Sequence, residues 1–226
     1  MYNGHVSLSA CSDLSAADWI TGSDLSWWQL VTLGPSGFAA YARLRFLPDP
    51  AYEGQSENDV VLSEDAPLES AQLGAVLEVL RRHTRTPDEC YFCVWDGWGS
   101  GIEGVYIGES MPLKYSDDGD GRPGFEPTRA QPGLAPASPS SESDLPKVVV
   151  PNRAYFLIRG APSDLGDLPD PAAFIWPADR SWCVAHDVDP HWAGIGADTA
   201  AIDELVSDPR LDVVRTDPGA PQPFYR

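Results

Sequence analysis

Phe174-Ile175-Trp176-Pro177-Ala178-Asp179-Arg180-Ser181-Trp182-Cys183-Val184-Ala185 holds two apolar runs, Phe174 to Trp176 and Trp182 to Ala185, on either side of a turn sequence. Proline near the start of a turn presets its φ, and Asp bonds to its own backbone, so this spacing predicts a β-hairpin. A hairpin joins antiparallel neighbours, whereas a parallel pair needs a long crossover. The same pattern recurs outward. Val148 to Val150 and Ala154 to Ile158 flank Pro151-Asn152. Further upstream, the aromatic and β-branched run Trp27 to Leu33 precedes Gly34-Pro35-Ser36-Gly37 and then Phe38 to Phe46, which reads as a third hairpin. Tyr91 to Trp95 and Leu211 to Val214 read as further strands.

Two segments carry helical periodicity. Between Pro67 and His83, Leu73, Val76, Leu77 and Leu80 recur at i, i+3, i+4 and i+7, and Thr86-Pro87 stops the run. Asp198 is placed to cap a shorter helix whose apolar side is Ile202, Leu205 and Val206. Hairpins outnumber strand–helix–strand units. The expected fold is therefore α+β, a mainly antiparallel sheet built from hairpins, with two main helices and a long Pro/Gly-rich loop, in a single domain over 1–226.

That loop is 107–146, with seven Pro, five Gly and no Trp. Its composition cannot bury enough apolar surface to offset ordering, so an exposed acidic Pro/Gly/Ser-rich insertion is expected. Within it, Asp117-Asp118-Gly119-Asp120-Gly121 has the look of a calcium loop, but the twelfth position falls on Pro127 where a bidentate Glu is required.

Charge narrows the function classes. The 226 residues carry 34 acidic side chains against 15 Lys plus Arg, a formal net charge of -19. Such a field repels nucleic acid and anionic membranes and favours basic partners or cations. One short stretch runs the other way: 147–160 holds Lys147, Arg153 and Arg159 and no acid. No apolar run reaches the roughly 20 residues of a membrane span. The opening Met1-Tyr2-Asn3-Gly4-His5 lacks a signal-peptide pattern, and four Cys are too few for a disulfide scaffold. A cytoplasmic protein with reduced, mostly buried thiols is expected, without a membrane or nucleic-acid partner and without a cofactor. Oligomeric state is left open.

Few constellations could carry chemistry. Cys90-Tyr91-Phe92-Cys93 matches C-x-x-C, but on a strand residues three apart point to opposite faces, so core thiols are expected. His186-Asp187-Val188-Asp189-Pro190-His191 is the densest group of possible ligands. Alternation puts Trp182, Val184 and His186 on one face and Asp187 and Asp189 on the other, so no metal is expected there. His186 and Asp187 remain the first acid–base candidates, with Asp189 and His191 weaker ligand candidates. Trp95-Asp96-Gly97-Trp98-Gly99-Ser100-Gly101 can build an aromatic platform beside closely approachable backbone. Trp176 and Trp182 could join it, with Arg153, Arg159 or Arg180 fixing an anionic group; Arg153 and Arg159 lie six apart and so share a strand face. No phosphate loop, G-x-S-x-G or H-E-x-x-H is present.

Three stretches, 86–99, 151–160 and 176–185, resemble an uncharacterised family common in high-GC actinobacteria. The resemblance covers about half of the chain and implies no activity, so no functional residue is carried over from it.

Two readings follow. One is an acidic binding or interaction protein, immunity- or inhibitor-like, that covers a basic protein partner. The other is a small-molecule-binding protein or enzyme with a Trp-lined pocket and Arg, His and Asp as its polar groups. They separate on one observation: whether Trp95, Trp98, Trp176 and Trp182 converge on an open cleft containing His186 or an Arg.

Overall fold

In the computed structural model, Phe174 pairs with Ala185 and Ile175 with Val184, antiparallel. The turn between them closes as Arg180 N donates to the Pro177 carbonyl, with Arg180 in the left-handed region at φ 55°. The structure describes residues 8–61, 66–98, 145–188 and 190–226, together with the backbone of 106–107. The expected loop apart from its ends, the Asp117–Gly121 stretch, Gly99 to Gly101 of the aromatic platform and Asp189 lie outside the described residues.

The strands in chain order are β1 (Ser9–Ala10), β2 (Ala40–Arg45), β3 (Cys90–Trp95), β4 (Tyr106–Ile107), β5 (Val148–Val150), β6 (Arg153–Gly160), β7 (Ala172–Pro177), β8 (Cys183–Ala185), β9 (Trp192–Ala197) and β10 (Val213–Thr216). The helices are α1 (Asp18–Thr21), α2 (Trp27–Leu33), α3 (Glu69–Leu80) and α4 (Thr199–Ser207). The strands form one sheet in the order β10-β2-β9-β8-β7-β3-β6-β1-β4, with β5 paired to β6. Every described pairing is antiparallel except β1 with β4. The fold is α+β with a mainly antiparallel sheet, as the hairpin spacing predicts. Among the described residues, no helix is long and apolar enough to cross a membrane.

Helices cover both faces. Leu73, Val76, Leu77 and Leu80 of α3, with Ile202 and Leu205 of α4, pack on Phe92, Val94, Ile158, Trp182 and Val184. Ile20 of α1 and Leu30 and Val31 of α2 pack on the opposite face against Cys93, Leu157, Phe174 and Trp176. The α4 cap is as expected, with Ala201 N donating to Asp198 Oδ1 at 2.7 Å. Val206 is a correction: it is 41% exposed and lies off the apolar face.

The larger correction is Trp27–Leu33, which is helix α2 and not the first strand of a hairpin. A local cap overrides the β-propensity of the run. Ser26 Oγ accepts from Gln29 N at 3.3 Å and donates to Gln29 Oε1 at 2.8 Å, and Gly34 ends the helix at φ 80°. The helix lies directly on β9. A Cβ added at Gly194 would fall 2.2 Å from the Thr32 carbonyl oxygen and 2.6 Å from Leu33 Cα. A side chain there would hold the helix off the sheet, so glycine sets the spacing.

Candidate functional site

The sheet is interrupted at one place that matters for a site. Pairing of β3 with β7 shifts register between Cys93 and Val94, which face Phe174 and Ala172, so Ala173 is the extra residue of a bulge. Bulges redirect the chain beyond them. The Ala173 carbonyl accepts from His186 N at 2.8 Å, which holds the chain as it leaves β8. His186 and Asp187 then turn to opposite sides, as alternation predicts.

His186 goes to the α3 side. Its ring packs on Phe46 at 4.9 Å, and Nε2 lies 3.7 Å from Glu69 Oε2 at the start of α3. Its Nδ1 is buried without a hydrogen-bond partner. Burial pushes the imidazole down to about 4, against the pull of Asp187. Asp187 goes to the other side and is 2% exposed. Its carboxylate lies 3.3 Å from Arg153 Nε and accepts from Tyr155 OH at 3.4 Å and from Val188 N at 2.7 Å. Burial, and then Asp187, raises the Tyr155 phenol, so Tyr155 stays a donor.

The Arg153 guanidinium sits over the rings of Trp27 and Trp95, at 5.4 Å and 5.0 Å. Trp95 meets Trp98 edge to face at 5.6 Å, within a tight turn over Asp96–Trp98. Gly97 lies against the Trp95 ring, because a Cβ there would come within 2.2 Å of it. The turn is tied to the residue before β5 through Asp96, which pairs with Lys147. Trp95 is therefore fixed, while Trp98 remains 41% exposed.

These groups wall an open cleft of about 210 Å³. Trp95, Trp98, His186, Asp187 and His191 line it together with two carboxylates, Glu57 and Glu69. His191 is buried beside Asp49, at 3.5 Å, and beneath the ring of Tyr225, at 4.6 Å; burial holds its pKa below the ordinary value. Glu69 is raised by burial and then by the Glu57 charge. Among the described lining residues there is no Lys or Arg and no Ser, Thr or Cys. Among the described residues the cleft thus offers aromatic faces and, besides the Arg153-paired Asp187, two carboxylates with no Lys or Arg beside them in its wall.

The other expected groups lie elsewhere. Trp176 and Trp182 are both fully buried, in cores on opposite faces of the sheet. Four tryptophans do not converge; two do. Arg159 shares the Arg153 face but pairs with Glu89 at 2.8 Å. Arg180 lies over Trp19 and donates to the Ser15 and Ala16 carbonyls, where it closes the turn before α1. The basic stretch 147–160 is internally matched, since Lys147, Arg153 and Arg159 meet Asp96, Asp187 and Glu89. Cys90 and Cys93 face opposite cores, with burial pushing Cys90 up to about 12. Among the described residues no group of three or more His, Cys, Asp or Glu is placed to hold a metal. Glu57 and Glu69 escaped the sequence reading because nothing local links them to residues more than a hundred positions downstream.

The histidines give a pH expectation. In the unfolded chain His186 titrates near 6.5, and in the fold near 4. Between those values the unfolded chain binds the extra proton, so stability is full above pH 6.5 and falls as pH drops through this window. The loss at pH 4 approaches about 3 kcal/mol, and His191 adds in the same direction. Asp179 and Asp208, held down to about 2, contribute only at lower pH. Urea unfolding at stepped pH should show the fall, and His186→Gln should flatten it. An unchanged slope in that variant would remove His186 as its source.

No family model matches the chain, and no curated protein and no solved structure matches it either.

Proposed function

We propose that the protein is a binding protein for a small organic cation, an ammonium or guanidinium group seated against Trp98 between Glu57 and Glu69. The observation that carries this reading is one cleft with an exposed indole, two carboxylates besides the Arg153-paired Asp187, and no described Lys or Arg in its wall. A cation over an indole gains about 0.5–2 kcal/mol depending on desolvation. It would also offset the Glu57 charge, which adds to burial in raising Glu69. The net charge of -19 draws cations towards the molecule at low ionic strength. An acid–base role fits less well, because an imidazole held near pKa 4 is a weak base at neutral pH.

The same charge favours a second reading, in which the cation is a Lys or Arg side chain of a basic protein partner, as an immunity- or inhibitor-like protein would use. That association would weaken steeply with salt, whereas a small monocation would be far less affected.

Intrinsic tryptophan fluorescence and thermal shift against tetramethylammonium, arginine amide and guanidinium test the primary reading. Saturable binding is expected, weakened about 3- to 30-fold by Trp98→Ala. If no cation in the series shifts either signal at millimolar concentration, the reading fails.

A further inference from the structure

The cation cleft shares its wall on the side of α3 with a neighbour. Its walls Glu69, Pro171 and His186 also belong to a second cavity of about 460 Å³, between the start of α3 and the segment 165–172. The lining there is mostly apolar, with Leu68, Leu73, Leu165, Leu168 and Ala172 beside Ser70 and Asp170. Leu68 occupies the residue before the first turn of α3, where Ser, Thr, Asp or Asn would cap the helix, and it makes no cap. Its side chain is instead 75% exposed beside this groove. His186 forms the waist between the two cavities. A neutral imidazole packed on Phe46 lets a hydrocarbon pass where a charged one would not.

We infer that the two cavities form one amphiphilic site, whose ligand is a long-chain amine: its cationic head lies against Trp98, Glu57 and Glu69, and its hydrocarbon tail runs past His186 between Leu68 and Leu168. The inference rests on the cation reading above and adds the tail. Charge complementarity sets the polarity, because Glu57 and Trp98 stand at one end with Glu69 at the junction, while the leucines line the other end, where the further carboxylate, Asp170, is already engaged. The length of the groove then selects chain length.

The test is a homologous series of alkyltrimethylammonium ions, from methyl to decyl, kept below their micelle concentrations and followed by tryptophan fluorescence. Burying a methylene fully is worth about fourfold in affinity, so a tail in an open groove should gain about twofold per methylene. Leu68→Ser with Leu168→Ser should abolish this slope while leaving tetramethylammonium binding unchanged, and the first of these substitutions supplies α3 with the hydroxyl cap it lacks, which protects the fold. Trp98→Ala should weaken every member of the series alike. Equal binding of short and long ions, or a slope that survives in the leucine variant, overturns the tail and leaves the cation reading standing. Failure of all ammonium ions, or decanoate binding as well as the decyl ammonium, overturns both. Recruitment to phosphatidylcholine vesicles without binding of the monomeric amine also overturns the inference.

Discussion

Gly194→Ala is expected to lower stability by about 3 kcal/mol, a fall of about 6–12 °C in Tm for a chain of this size. The added methyl would meet backbone on two sides, Thr32 O and Leu33 Cα, and backbone of a packed helix cannot yield as a side-chain tip can. Either α2 lifts away from β9, which opens the core holding Leu30, Val31 and Cys183, or the strand bends out of register with β2 and β8. Gly196 provides the control. A Cβ there meets the Phe38 ring, at 2.3 Å, and that ring is only partly buried and can turn aside. Gly196→Ala should therefore cost clearly less than Gly194→Ala. Thermal and urea unfolding measure both, and a Gly194→Ala protein as stable as the parent would mean that α2 does not rest on this strand.

Arg153→Met is expected to cost about 3–5 kcal/mol, the range for removing one partner of a buried ion pair. Asp187 is almost wholly enclosed, and without the guanidinium its charge would rest on the Tyr155 hydroxyl and the Val188 amide. Adding Asp187→Asn to Arg153→Met should recover part of the loss, because the buried charge is then gone. The variant should also change tryptophan emission, since the guanidinium packs over Trp27 and Trp95. If Arg153→Met alone is neutral in urea unfolding, the pair is not what holds Asp187 in place. Trp95 would then be held by the Gly97 contact and the Asp96–Lys147 pair without help from the guanidinium.

What was legible in the sequence follows from where each signal resides. The hairpin at 174–185, the α3 face and the Asp198 cap depend on neighbours within a few positions, and each is found as read. Trp27–Leu33 carried two local signals in conflict, strand-forming side chains against Ser26 and Gln29 at capping distance, and the cap prevails. Strand β9 had no hydrophobic alternation to reveal it, because Gly194 and Gly196 occupy the face that α2 and Phe38 press upon. The site was half legible. Trp95, Trp98, His186 and Asp187 stand out by residue type, but Glu69 becomes a wall residue only through the packing of α3 on the sheet, and Glu57 only through the separate turn over Glu57–Asp59. Trp176, Trp182, Arg159 and Arg180 look equally suited by type, and topology sends them to cores and turns instead.

Cys90 and Cys93 give the molecule an internal pair of gauges. They sit on one strand, three residues apart, yet one thiol is sealed by the α3–α4 layer and the other by the α1–α2 layer. A reagent that modifies only exposed thiols reaches each when its own layer parts from the sheet, so the two modification rates time the opening of the two sides separately. Equal rates describe a molecule that opens as one unit. A faster Cys93 would describe a sheet that keeps its α3 layer, and with it the Glu69 wall of the cleft, while the other side breathes.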